Sequence, residues 1–169
     1  HNVPALAGFR PLHQGFRSNA YVTAGGGKNF HEASGRGGGW AGGGWDTWYG
    51  GYNYGPTVGR QPWLERIWNY GPLDTPNEAM DETKRAQWAA DFLGQDHDKP
   101  FFLMVGLVKP HVAMTAPREW FELFPIEEIV LPEVLPNDLE DSPDAGRQLY
   151  LSAPSAPRHS EVLSRNAWK

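Results

Sequence analysis

The chain has 169 residues, a formal net charge of −5 and a pI near 5.6, the length of one domain with enough residues to bury a core. An acidic balance without a long basic run excludes a nucleic-acid footprint and an anionic membrane surface as partners. No apolar stretch approaches the about 20 residues of a membrane span, no charged-then-apolar signal peptide is visible, and the lack of cysteine excludes disulfides, thiolate metal sites and a cysteine nucleophile within the chain.

Residues His1 to Gly8 carry no start signal, so His1 reads as an arbitrary beginning. Pro11 suits the first turn of a short helix with Leu12 and Phe16 on one face, ending near Ser18-Asn19. Ala20 to Ala24 reads as a short strand, and Gly25-Gly26-Gly27 as the turn that carries Lys28 and His31 off its end. From Gly35 to Tyr54 the chain repeats Gly-Gly-Gly-Trp at 37–40 and 42–45, with Trp48, Tyr49, Tyr52 and Tyr54 close behind. Two copies at so short a period do not make a solenoid, and a long loop pinned by aromatic side chains over 35–55 is expected instead.

Thr75-Pro76-Asn77-Glu78 has capping-box spacing with proline at the first helical position. The helix is expected to run to Leu93, stopped by Gly94, with Ala79, Thr83, Ala86, Ala90 and Leu93 facing inward and Ala89 and Phe92 beside them. Pro100 to Val108 is an unbroken apolar run of strand length, the pattern of a parallel strand buried on both faces. It runs into Lys109-Pro110-His111, which should emerge at the strand's carboxyl end, where open α/β sheets bind ligands. Pro117 can open a short helix carrying Trp120, Phe121 and Phe124; residues 132–157, rich in proline and acid, are expected to be extended; and Glu161 to Lys169 resembles a helix beginning.

Two strand exits thus each deliver a lysine and a histidine. Lys28 and His31 can present an ammonium and an imidazole to one anion, the first as a compact charge and the second as a hydrogen-bond donor or proton carrier. The same pair also fits an exposed lysine and a core-edge histidine, and His111 fits a histidine hydrogen-bonded at a turn. The glycines before Lys28 do not make a phosphate loop, since Val22 and Asn29 stand where the Walker pattern needs glycine and serine or threonine. His1, His13, His97 and His159 lie in polar or terminal contexts without ligand spacing, so no metal site is expected within the chain. Trp63, Trp68 and Trp88 read as packing residues.

Two segments are identifiable. FRSNAYVTAGGGKNFH, at 16–31, resembles the sulfatase family's "Phe…Gly-Tyr-x-Thr…Gly-Lys-x-Phe-His" pattern, and DKPFFLMVGLVKPHVAMTAPREWFELFP, at 98–125, resembles its "Lys-Pro-Phe-Phe-Leu…Lys-Pro-His…Pro" pattern. With the intervening WNYGPLDTPNEAMDETKRAQWAADFL, the resemblance covers most of residues 9–136 and is nearest to the subgroup that includes iduronate-2-sulfatase and many bacterial polysaccharide sulfatases. It implies an α/β chain that is part of an alkaline-phosphatase-like fold, a mainly parallel sheet flanked by helices, and hydrolysis of sulfate monoesters. It assigns Lys28 and His31 to the sulfate and the modified nucleophile, and His111 to the sulfate or the leaving group. Lys109 matches its motif and takes a substrate-binding role. A sulfuryl transition state spreads negative charge over its oxygens, and fixed cations and donors stabilise it.

The family also uses Ca²⁺ and a formylglycine made from cysteine or serine in a Cys/Ser-x-Pro/Ala-x-Arg motif. That motif and the family's metal-binding aspartates are not found in the sequence: Ser142-Pro143 and Ser152-Ala153-Pro154 lack both spacing and arginine, and Ala20 replaces the glycine before the tyrosine. Residues 1–169 are therefore expected to be a partial sulfatase catalytic domain, an internal or truncated portion that supplies one wall of the active site and is inactive alone. Its implied partners are a sulfated small molecule or glycan and the remainder of the sulfatase domain, in a periplasmic, secreted or lysosomal setting. The alternatives are a phosphate or phosphonate ester hydrolase of the same superfamily, or a non-catalytic module whose Trp40, Trp45 and Trp48 hold a glycan.

Overall fold

A computed structural model describes residues 8–30, 43–52, 69–152 and 157–168. His31, Trp40, Trp63 and Trp68 lie outside these residues. The chain divides into two compact units, His1–Gly55 with Thr75–His111, and Pro56–Asp74 with Val112–Lys169.

In the first unit, helix α1 (Leu12–Ser18) follows Pro11 and leads into strand β1 (Val22–Gly27). Strands β2 (Thr47–Tyr49) and β4 (Phe101–Gly106) pair with β1 on its two sides, both parallel to it, and helix α2 (Asp81–Leu93) precedes β4. The register runs from Val22↔Phe101 to Gly27↔Gly106. Successive strand residues face opposite ways, and the aromatic contacts separate accordingly. Phe102 stacks on Phe16 of α1 at 4.5 Å and faces Trp45, whereas Phe101 meets Phe92 of α2 edge-on at 5.3 Å. Tyr49 stacks on Trp88 of α2 on that second face. Helices therefore cover both faces of a parallel sheet, the α/β arrangement expected.

The centre of that sheet is not the apolar run but the glycine-rich strand. β1 extends through Gly25, Gly26 and Gly27, which sequence reasoning assigns to a turn, and it is buried along nearly its whole length. Packing requires the glycine at 25: a Cβ there would lie 2.8 Å from the Trp45 ring, so the indole can rest on the sheet only where no side chain stands. Phe101–Gly106 is half-buried, with Val105 36% exposed, because among the described residues β4 pairs on one side only.

α2 departs from its expected form at both its start and its inward face. The capping-box residues make a 3-10 turn, Asn77–Ala79; Met80 is extended and buried; and the α-helix restarts at Asp81, whose charge and that of Glu82 suit the first turn. Drawing the Met80 side chain inward is what breaks the helix there. The buried positions on α2 are Arg85 and Phe92, while Ala86, Ala90 and Leu93 are exposed. The aromatic surface offered by Tyr49 and Phe101 fixes which face turns in, and the alanines do not compete with it.

In the second unit, β3 (Tyr70–Leu73) and β5 (Met114–Pro117) form a parallel pair in register from Tyr70↔Met114 to Leu73↔Pro117. Helix α3 (Arg118–Glu122) starts directly after Pro117, as expected, and Arg118 binds Asp74 through Nε at 3.0 Å and Nη2 at 2.6 Å. Helix α4 (Asp144–Ser152) lies inside the stretch expected to be extended, and α5 (His159–Ser164) lies near the end of the chain. The proline and acid that suggest an extended segment are concentrated before Asp144; beyond it Leu149, Tyr150 and Leu151 continue without a proline to break the helix.

Candidate functional site

Lys28 is the first residue beyond β1, and its amide donates to the Gly106 carbonyl at the end of β4 at 3.1 Å. Because β1 and β4 are adjacent and parallel with Gly27 opposite Gly106, the turn that bears Lys28 and the turn that bears Lys109 and His111 leave the same edge of the sheet. This is the carboxyl edge, where strand ends and loop amides converge on ligands in open α/β sheets. Asn29 fastens the Lys28 turn to β4, its Nδ2 donating to the Met104 carbonyl at 3.1 Å.

Each candidate has distinct local support. The Lys28 Nζ stands 5.4 Å from the centre of the Tyr52 ring, a cation–π placement that holds an ammonium without neutralising it. Lys109 is half-buried; burial pushes its ammonium below the ordinary lysine value, and the nearby Glu82 charge partly opposes that shift. The Lys109 amide faces Glu82 Oε1 at 3.4 Å. The His111 amide donates to the Val108 carbonyl at 2.9 Å, closing the turn, and its imidazole is half-buried. His31, the fourth expected member, lies outside the described residues.

Two supporting residues carry no sequence signal of function. Arg85 of α2 is 3% exposed; its Nη2 donates to the Gly51 carbonyl at 3.0 Å, and its Nε lies 2.5 Å from where a Gly27 Cβ would be. Asp46 closes the other end of the sheet, accepting from the Thr23 amide at 2.9 Å, the Thr23 hydroxyl at 3.0 Å and Arg17 Nε at 2.9 Å. The Thr23 amide bond, with its hydroxyl and Arg17 after it, holds the Asp46 carboxyl below the ordinary range against a desolvation cost.

The tryptophans divide. Trp45 is buried and stacks on His13 at 4.2 Å with planes 4° apart, so it is a packing residue and not an open sugar platform. His13 is likewise buried, its Nε2 bonded to the Gly43 carbonyl at 2.9 Å, where the sequence suggests a polar setting. Among the described residues no group of three or more His, Asp or Glu is placed to hold a metal, so these residues do not fit a Ca²⁺ cage. No helix among them is long and apolar enough to cross a membrane. A cavity of about 440 Å³ in the second unit, lined by Val134, Leu135, Arg147, Tyr150 and His159 among others, contains none of the candidate residues.

The chain is similar to a sulfatase of Formosa agariphila, 27% identical over 163 residues that make up 91% of this chain and 32% of that protein. It is also similar to an arylsulfatase of Clostridium perfringens, 33% identical over 92 residues, or 52% of this chain and 18% of that one. The chain thus spans about a third or less of the curated relatives it matches. No family model matches it, and no solved structure does. These similarities support a relationship to the sulfatase family.

Proposed function

We propose that this chain is one part of a sulfatase catalytic domain of the iduronate-2-sulfatase-like subgroup, forming the wall that binds the sulfate of a sulfate monoester. The observation that carries this reading is the Gly27↔Gly106 register, which sends Lys28 and the Lys109-Pro110-His111 turn off one sheet edge. Lys28, with His31 three residues on, faces the sulfate oxygens; Lys109 adds charge on the substrate side; His111 donates to the sulfate or protonates the departing alkoxide. Fixed cations in a site with little water stabilise the charge that builds on the sulfuryl oxygens, and they need no reorganisation when it does. Half-burial of Lys109 strengthens its pull on an anion for the same reason that it lowers its proton affinity.

The formylglycine nucleophile and the Ca²⁺ ligands belong, in this reading, to the rest of the domain, consistent with the 32% of the Formosa sulfatase that the chain matches. The substrate class is a sulfated small molecule or glycan, encountered in the periplasm, a lysosome or outside the cell.

The test is a titration of the chain with inorganic sulfate, followed by NMR on the lysine Cε–Hε groups and the histidine ring. Signals of Lys28, Lys109 and His111 should saturate together, and Lys28→Ala and His111→Ala should each abolish the common transition. Independent or absent transitions would overturn the reading. Phosphate saturating the same signals far more tightly than sulfate would replace it with a phosphate ester hydrolase.

A further inference from the structure

Arg85 is a buried cation that the described residues do not fully satisfy. Its Nη2 meets the Gly51 carbonyl, but among the described residues Nε and Nη1 are buried without a hydrogen-bond partner. Burying a guanidinium with unpaired donors is unfavourable. Stability therefore does not explain an arginine at this position, and an apolar side chain of similar length would serve the core as well or better.

What the guanidinium touches suggests its use. Its Cδ and Nε rest on Gly27, the residue before Lys28, in space that a Cβ would fill. Its Nη2 holds Gly51, the residue before Tyr52. Lys28 and Tyr52 are in turn the two halves of the cation–π pair. One rigid, planar group thus fixes the neighbour of each member, from a helix that packs behind the sheet. Gly27 has φ +80°, so its own backbone is held in a conformation that tolerates this approach only without a side chain.

We propose that Arg85 is a positioning residue that clamps the Gly27–Lys28 turn to the Gly51–Tyr52 loop and so aims the Lys28 ammonium at the carboxyl edge of the sheet. Its consequence for sulfate rests on the function proposed above; the clamp itself does not.

The experiment compares the full chain with Arg85→Met, Arg85→Lys and Tyr52→Leu. Ring current from Tyr52 should displace the Lys28 Hε resonances upfield in the unaltered chain, and Tyr52→Leu should abolish that displacement, fixing its origin. Arg85→Met should move the resonances most of the way to the Tyr52→Leu position while leaving the urea midpoint unchanged or raised, and Arg85→Lys should restore part of the displacement. Sulfate affinity in Arg85→Met should fall roughly tenfold, the scale of one misaligned charge-assisted hydrogen bond. A Lys28 displacement that survives Arg85→Met would overturn the clamp, as would a lowered midpoint with Lys28 unmoved, which is the mark of a purely structural side chain. Loss of the displacement in a chain that never binds sulfate would keep the clamp and sink the sulfate reading instead.

Discussion

Asp46→Ala is expected to destabilise the first unit by about 2–3 kcal/mol, and the reason lies almost wholly in Thr23. Thr23 is fully buried, and its amide donates to Asp46 Oδ2 at 2.9 Å. Removing the carboxylate takes away that amide's acceptor, at a cost of ~1–3 kcal/mol. The Thr23 hydroxyl, 3.0 Å from the same oxygen, retains the Asp46 amide at 3.2 Å and the Gly44 carbonyl at 3.4 Å as partners and adds little. The Arg17 bridge is half-exposed and contributes ~0–1 kcal/mol. Urea unfolding at pH 7 should therefore show Asp46→Ala well below the unaltered chain and Arg17→Ala within about 1 kcal/mol of it. The sign of the pH dependence follows from the lowered folded pKa. Between that value and 3.8 the unfolded chain binds more protons, so the Asp46 contribution is full above 3.8 and is lost as pH falls through the folded value. The gap between the unaltered chain and Asp46→Ala should close in that window. An Arg17→Ala loss as large as that of Asp46→Ala, or a gap that persists in strong acid, would refute the assignment to the buried amide.

Gly27→Ala places a Cβ 2.0 Å from the Gly106 carbonyl and 2.5 Å from Arg85 Nε at a φ of +80°. The left-handed backbone alone costs ~1–2 kcal/mol and overpacking ~1–3 more, so thermal unfolding should show one of the largest losses of any single substitution. Trp45→Ala removes a buried ring stacked on His13 and should cost ~3–5 kcal/mol by urea titration; a stable variant that merely loses glycan affinity would instead restore the glycan-module reading. For Lys109, NMR titration should give a pKa below 10.5, and Glu82→Gln should lower it further by removing the opposing charge. Between the lowered value and 10.5 the unfolded chain binds more protons, so stability rises with pH there; Lys109→Met should lack that rise.

The strand exits were legible in the sequence because a glycine before a lysine and an apolar run before Lys-Pro-His are local patterns, and Lys28, Lys109 and His111 follow from them at once. The apolar run also marks β4 correctly as a strand. It does not reveal the strand's place, since burial on two faces depends on neighbours that the run itself does not specify. Likewise the composition of Gly25-Gly26-Gly27 signals a turn by conformational freedom, although here the same residues are chosen for their lack of volume.

By itself the amino-acid sequence determined the short α1 behind Pro11, the alternation of helix and parallel strand, and the lysines that follow the β1 and β4 strands. These depend on propensity, proline placement and spacing within a few residues of one another. Only the tertiary structure decided that glycine-rich β1 lies between β2 and β4, that Trp45 and His13 are buried together, and that the inward face of α2 carries Arg85 rather than its alanines. Each of these is settled by contacts between segments far apart in the chain. Arg85 in particular is an ordinary helix-forming residue in sequence; its meaning comes from reaching Gly27 and Gly51, 58 and 34 positions away.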